Sequence, residues 1–538
     1  MSDSSLFLGI DCGTQSTKVL VYDAENREVL SRASVSYELT SNRPGQAEQA
    51  PSMWVQACKE CIADALDGAG NERGDVAARV KALGVSGQQH GMVALDENKK
   101  VIRPAKLWCD VESAAEAEEL SKLWGTTIVP AVTASKLLWL KRHEPDSWER
   151  LAHVLLPHDY INFWLTGRLC MEARGQSAGG TGTAPAACLR TRCLLARPPT
   201  CPNRSYNHNW PLSPTHASDA CGTGFLDTAG RCWDEARMET FGCGRIPASM
   251  PELIGPGEVV GTLLPAVAKQ LGLPEGVQVA PGGGDNAMAA LGAGAVHEGT
   301  WVLSLGTSGT LFGPSGKPIL DPSGTINPFC DSTGQWLPLL CTLNCTGVSE
   351  EIRHAFGLSH EEITALAAGE RSGCSGTTLL PYFAGERTPN WPNATGAVLG
   401  LRPGSFRPGL LYRAALEGAT FSLLAGMKRL QQYGLAATEL RLVGGGSKNR
   451  LWRRIVADSF QLPLRFPAEP EAAALGAALQ AAAVHSGTPV GEYVEAHAPP
   501  METEVMQPQH EAGEAYRKSF ARHQKWGACL FGGGSCEI

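Results

Sequence analysis

The chain has no run of about 18 apolar residues, so no membrane-spanning helix and no membrane partner are expected. Its opening, "MSDSSLFLGID", lacks a basic region followed by an apolar stretch; no secretory leader is expected, and a cytoplasmic location is. Positive charge is also short. Lys and Arg total 46 against 54 Asp and Glu, a net charge of −8, which argues against a nucleic-acid partner and requires any bound anion to be held by local features. Two catalytic signatures are missing. Gly316-Lys317 is followed by Pro318 and lacks the glycine five residues upstream, where Leu311 stands, so there is no G-x-x-x-x-G-K-[ST] phosphate loop. "GTSGT" (306–310) is no G-x-S-x-G nucleophile elbow. Cysteine is not scarce, at 17, but no second C-x-x-C answers Cys58-Lys-Glu-Cys61, so a zinc site is not expected. Trp54, Cys58, Cys61, Ile62, Ala65 and Leu66 recur at helical spacing, which reads as one buried helix face.

What remains is a chain of 538 residues, 43% apolar, long enough for two to four domains with large cores. Strand-like and helical runs alternate from the start: "LFLGID", "TKVLVYD", a helical 52–67, then "VKALGVSG". That is α/β organisation. Later come "VQVAPGG", "TWVLSLGT", a helical 411–434, "ELRLVGGG" and an alanine-rich helix. The last fifty residues read as a peripheral helix and a frayed end.

An internal repeat organises the rest. "LGIDCGTQSTKVLVYD" (8–23) and "VLSLGTSGTLFG" (302–313) share an apolar strand, Gly-Thr, a small polar turn and a second apolar strand. Both read as β-hairpins with turns of Gly, Ser and Thr. The spacing predicts two related halves facing one another, with Asp11 in the first half matched by Ser304 in the second. Backbone N–H groups in such turns bind anionic oxygens, and opposed turns suit a polyphosphate. A Mg²⁺ on the phosphates takes one or two carboxylates and keeps water otherwise, a duty that suits Asp11. "LRLVGGGSKNRLWRRIVAD" (440–458) is a strand, a glycine turn and a helix, where a flat ring or phosphate can touch backbone.

"PGGGDNAMAALGAG" (281–294) presents one carboxylate, Asp285, behind three glycines. An N-cap is one reading. The other starts from the space the glycines leave: a kinase acting on an alcohol needs one acceptor for the hydroxyl proton, in line with the γ-phosphate. By contrast, residues 174–217 hold five Arg and no Asp, Glu or Lys, with no sustained period. They read as an insertion foreign to the surrounding fold.

"LGIDCGTQSTKVLVYD", "SGQQHG", "LWCD", "GGGDN", "SLGTSGT", "GERTP" and "GGGSKNRLWRRIVAD" occur in the order and spacing of the FGGY carbohydrate kinases, which the chain resembles along nearly its whole length. The resemblance implies an α/β fold of two ribonuclease-H-like domains, of the actin and hexokinase type, flanking a central cleft. It divides the chain into an N-terminal domain (1–296), a C-terminal domain (297–485) and a tail (486–538). It implies ATP and Mg²⁺ as cofactors and, from the branch most alike, D-xylulose as the sugar; a homodimer is a separate expectation. Carried over by motif, Asp285 resembles the general base, and Asp11 the carboxylate beside the metal and phosphates. Gly13, Thr14 and Gln15, with Gly306, Thr307 and Ser308, resemble the phosphate cradle; Gly445, Gly446 and Asn449 match positions next to adenosine. Gln89, His90, Trp108, Asp110 and Asn286 are the expected sugar contacts. Gln89 stands where well-known bacterial relatives have Met, and Cys109 where "LWND" has Asn; both bear on which pentulose fits. A kinase of ribulose or glycerol, and a nucleotide-binding protein inactivated by the insertion, are the alternatives.

Overall fold

The computed structural model describes residues 4–70, 73–172, 219–242, 246 and 249–532; the insertion expected at 174–217 lies outside them. The N-terminal half begins with β1 (Leu6–Cys12), β2 (Ser16–Asp23) and β3 (Glu28–Ser36), an antiparallel meander. Then come α1 (Pro51–Gly68), β4 (Val80–Gly87) parallel to β1, α2 (Pro157–Thr166), and the short β5 (Gln278–Val279) and β6 (Gly283–Gly284), both parallel to β4. Helix α3 (Asp285–Gly292) closes that half.

The C-terminal half repeats the plan. It runs through β7 (Thr300–Leu305), β8 (Gly309–Phe312), β9 (Asn327–Cys330) and β10 (Trp336–Thr342), then α4 (Pro408–Gln432), β11 (Glu439–Val443), α5 (Arg450–Phe460), β12 (Leu464–Pro467) and α6 (Ala472–Ser486). The shared part of the first sheet is ordered β3-β2-β1-β4-β5, and that of the second β10-β8-β7-β11-β12. Three antiparallel strands followed by two parallel ones, in the same order twice, are the two related halves expected from the paired hairpins and the two ribonuclease-H-like domains that the resemblance implied. Residues beyond 485, read from sequence as a tail, supply β13 (Met501–Met506), which extends the second sheet against β12, and α7 (His510–Phe531). The α7 residue Tyr516 is buried against Phe421 of α4, and its hydroxyl accepts from Arg413 at 2.7 Å.

Strand β1 is apolar on both sides because both its faces are covered. Leu6, Leu8 and Ile10 pack with Trp54, Cys58, Cys61 and Ile62 of α1, so the C-x-x-C pair is core packing. Phe7 on the opposite face packs with Ala474, Ala477 and Ala478 of α6. Helix α6 follows the last parallel strand of the second sheet yet covers the first sheet, where a Cβ on Gly9 would lie 1.8 Å from Ala474 O. In exchange α3, at the end of the first half, sends Ala287 and Ala290 into a cluster with Val302 and Phe312 of the second sheet. The two helices thus cross between the sheets. Among the described residues no helix is long and apolar enough to cross a membrane.

Candidate active site

The two hairpin turns are built alike; the second lines a cavity, while Gly13, Thr14 and Gln15 of the first do not, Thr14 reaching that cavity's wall through Trp108. The first is closed by Gly13 N donating to Ser16 O (3.0 Å), the second by Gly306 N donating to Ser308 O (3.1 Å). Carbonyls of the first are taken by Tyr37 Oη (on Gly13 O, 2.6 Å) and Gln49 Nε2 (on Thr14 O, 2.7 Å). Those of the second are taken by Thr346 N (on Gly306 O, 3.0 Å) and Cys345 N (on Thr307 O, 3.1 Å). The amides of Thr14, Gln15, Thr307 and Ser308 have no protein acceptor among the described residues, so the turns keep donors for an anion.

Asp285 is the first residue of α3, and Gly284 takes the N-cap position, so the acid is not a cap. Its Oδ1 accepts from Asn286 N (2.8 Å) and Asn286 Nδ2 (2.7 Å), and Asn286 Nδ2 also donates to Gln89 Oε1 (3.3 Å). The glycines before it have specific causes. Gly282 has φ 73° and a Cβ there would sit 2.0 Å from Val85 O; a Cβ on Gly284 would meet Gln89 Nε2 at 2.3 Å. From α6, Gln480 Oε1 accepts from Gly282 N (2.8 Å) while its Nε2 donates to Gly282 O (3.3 Å).

A cavity of about 210 Å³ opens beside Asp285. Gln89, His90, Trp108 and Asn286 line it from the N-terminal domain, and Ser304, Gly306, Ser308 and Arg387 from the C-terminal domain. Burial, and next the charge of Asp11, push the Asp285 carboxyl up to about 7. Burial raises Asp11 as well, against a hydrogen bond from Ser86 Oγ to its Oδ1 at 2.9 Å. The Asp11 charge bears on Asp285, so the surroundings of these two carboxylates are a place where a cation is favourable. The second Asp11 oxygen has no protein donor among the described residues, so Asp11 fits a hydrated Mg²⁺ that needs a single carboxylate.

His90 is buried with φ 64°. Its Nδ1 lies 2.9 Å from Gly222 O, an acceptor, which assigns the proton to Nδ1 and leaves Nε2 a lone-pair acceptor. Burial pushes its pKa down to about 3, so the ring is neutral. Trp108 Nε1 donates to Thr14 Oγ1 (2.9 Å), tying the cavity wall to the first turn. Asp110, expected at the sugar, is instead fully buried. Its Oδ2 accepts from Ala47 N (2.9 Å) and Lys106 Nζ (2.9 Å) and its Oδ1 from Glu112 N (3.2 Å), so the carboxylate is used up inside the domain.

Gly445, Gly446 and Asn449 line a second cavity of about 1000 Å³ with Thr346 and Tyr412. A Cβ on Gly445 would meet nothing within 4 Å, so the missing side chain leaves the space open. Asn449 caps α5, accepting from Leu451 N (3.0 Å) and Trp452 N (3.2 Å). Thr346 belongs to this cavity and holds Gly306 of the first, so the second turn stands between the two.

The sequence reading did not reach several neighbours. Arg387 lies in the quoted "GERTP" but carried no role. The Gly222 carbonyl and Gln480 have no local signature. His158 is buried between two carboxylates, with Nε2 3.1 Å from Asp159 Oδ1 and Nδ1 2.5 Å from Asp219 Oδ2. Burial alone would lower its pKa, yet these carboxylates raise it to about 9.

Comparison with known proteins identifies the family. The model of the FGGY family of carbohydrate kinases, N-terminal domain, matches residues 6–182 and 213–292, passing over 183–212. The C-terminal domain model of the same family matches 301–485. The xylulose kinase of Haemophilus influenzae is 36% identical over 487 residues, covering 88% of this chain and 90% of its own. That of Streptomyces rubiginosus is 35% identical, covering 90% and 89%. The crystal structure of a "xyloylose kinase" from Brucella ovis superposes with a TM-score of 0.83 at 29% identity, covering 98% of this chain and 99% of that one. With both family models matched in order and the cleft between the repeated sheets accounted for, the chain belongs to the FGGY family of carbohydrate kinases.

Proposed function

We propose that the chain transfers the γ-phosphoryl group of ATP to the terminal hydroxyl of D-xylulose, forming D-xylulose 5-phosphate and ADP. One observation carries this reading: a single cavity is walled on one side by Asp285 and on the other by the Gly306–Ser308 turn. In it Asp285 takes the hydroxyl proton, and its elevated pKa of about 7 matches a base working near neutrality. Gln89, Asn286 and the unprotonated Nε2 of neutral His90 supply donors and acceptors for sugar hydroxyls. Trp108 gives an apolar wall. The amides of Thr14, Gln15, Thr307 and Ser308, with Gly13 and Gly306 shaping the turns, hold the phosphates. Gly445, Gly446 and Asn449 border the adenosine in the larger cavity. Asp11 holds Mg²⁺, which supplies charge neutralisation for the phosphates when bound.

The reading includes the division into sugar-binding (1–296) and nucleotide-binding (297–485) domains, assembly as a homodimer and a cytoplasmic location, where ATP is at hand. Closure of the domains excludes water and spares ATP from hydrolysis. The test is ADP release measured with D-xylulose, D-ribulose and glycerol offered separately. The expected result is the highest kcat/KM for D-xylulose. Preference for another acceptor, or ATP binding without turnover on any of them, overturns the reading.

A further inference from the structure

Arg387 is the one Lys or Arg among the described residues that line the small cavity. Its Nη2 donates to Asn327 Oδ1 (2.8 Å), and it forms no ion pair among the described residues. A partly buried guanidinium that pairs with no carboxylate is electrostatically incomplete, and an anion completes it. Its mount is rigid. The preceding Glu386 is buried, and its Oε1 accepts from Leu343 N (2.7 Å) and Arg387 N (2.7 Å), its Oε2 from Asn344 Nδ2 (3.0 Å). Thr388 Oγ1 donates to Cys341 O (2.8 Å), fixing the other side of Arg387 to β10.

Placement selects the anion. The Arg387 charge lowers the proton affinity of His90 on the sugar wall and that of Cys341, the cross-strand partner of Thr310 just past the second turn. Asp285 acts on the same Cys341. The guanidinium therefore sits at the seam between the sugar wall and the phosphate turn, within the field of the base. Neutral hydroxyls gain little from a full cation, and Gln89, His90 and Asn286 already serve them.

We propose that Arg387 is a catalytic residue whose guanidinium binds the non-bridging oxygens of the phosphoryl group as it passes from ADP to the sugar. In that step the bond from the γ-phosphorus to the β–γ bridging oxygen breaks and its electron pair stays on ADP. A bond from the sugar's terminal oxygen to phosphorus forms, and the hydroxyl proton goes to Asp285. The charge spread over the three non-bridging oxygens is what a planar, multi-donor cation matches best. The inference rests on the kinase reading above.

The experiment compares wild type with Arg387→Gln, Arg387→Lys and Asn327→Ala, the last freeing the guanidinium without removing it. Readouts are kcat, both KM values, the thermal midpoint, and calorimetric affinity for Mg·ADP with and without aluminium fluoride and D-xylulose. Arg387→Gln is expected to lower kcat by about 10²-fold or more, with both KM values and ADP affinity nearly unchanged. Affinity for the aluminium fluoride complex should fall in parallel, Arg387→Lys should recover part of the loss, and Asn327→Ala should cost about tenfold. A raised sugar KM with kcat preserved, or equal loss of ADP and aluminium fluoride affinity, overturns the assignment. So does normal turnover by Arg387→Gln. Absence of wild-type turnover on every sugar overturns the kinase reading, and this inference with it.

Discussion

Gly292 and Gly476 are reciprocal. A Cβ on Gly292 would lie 1.8 Å from Ala472 O of α6, and a Cβ on Gly476 would lie 1.8 Å from Met288 O of α3. Two helices from different halves of the chain cross there at backbone contact, with no side chain between them. The crossing is one place where the two halves join.

Either Gly292→Ala or Gly476→Ala must push the helices apart, because the obstructing atoms are backbone. Each is expected to destabilise by about 3 kcal/mol or more, at the upper end of overpacking costs. Urea unfolding measures this. An unchanged midpoint for both would show that the crossing relaxes freely.

Asp285→Ala is expected to lower kcat by about 10²- to 10⁴-fold, the range of a general base, while the affinity for ATP stays near that of wild type. On the proposed reading ATP binds through the turns and the Gly445 cavity, so titration of nucleotide separates the two effects. Retained turnover would remove Asp285 from the chemistry.

The base must be ionised to accept a proton, and burial with the Asp11 charge sets its pKa near 7. kcat/KM is therefore expected to fall as pH drops below about 7, with unit slope. Asp11→Asn removes a repulsion that raises Asp285, so the acid limb of its residual activity should move to lower pH. A pH–rate profile checks both; a limb near the ordinary carboxylate range in wild type would contradict the buried environment.

His158→Ala leaves Asp159 and Asp219 facing one another without the ring between them. Breaking a buried ionic cluster from one side costs about 3–5 kcal/mol. The loss should appear in urea unfolding, and also as a higher sugar KM. Asp219 precedes the turn that carries Gly222, the acceptor that orients His90.

Deleting 183–212, the stretch the family model passes over, is expected to leave kcat and the thermal midpoint within error of the full chain. Loss of soluble protein would give that stretch a structural purpose.

How much was readable in advance followed from how local each signal is. The paired hairpins and the Asp285 loop are each contiguous in the chain, so periodicity and turn chemistry announce each of them. Asp110 could not be read correctly: its environment is set by Lys106, Ala47 and Glu112, and nothing in "LWCD" announces a buried ammonium four residues earlier. Gly222 and Gln480 reach the site through a carbonyl and a side-chain amide from distant elements, which no spacing rule records. The terminal segment reads as polar because most of α7 faces solvent; its buried contacts are single residues such as Tyr516.

The clasp of Gln480 on Gly282 makes the joint and the reaction centre mechanical neighbours. On the proposed closure, displacement would grow with distance from the pivot, so the rim by Gly445 would travel far while Asp285, three residues past the clasp, would hardly stir. Such a lever would deliver the donor to a stationary acceptor, and the aim of the transfer would be preserved through the swing.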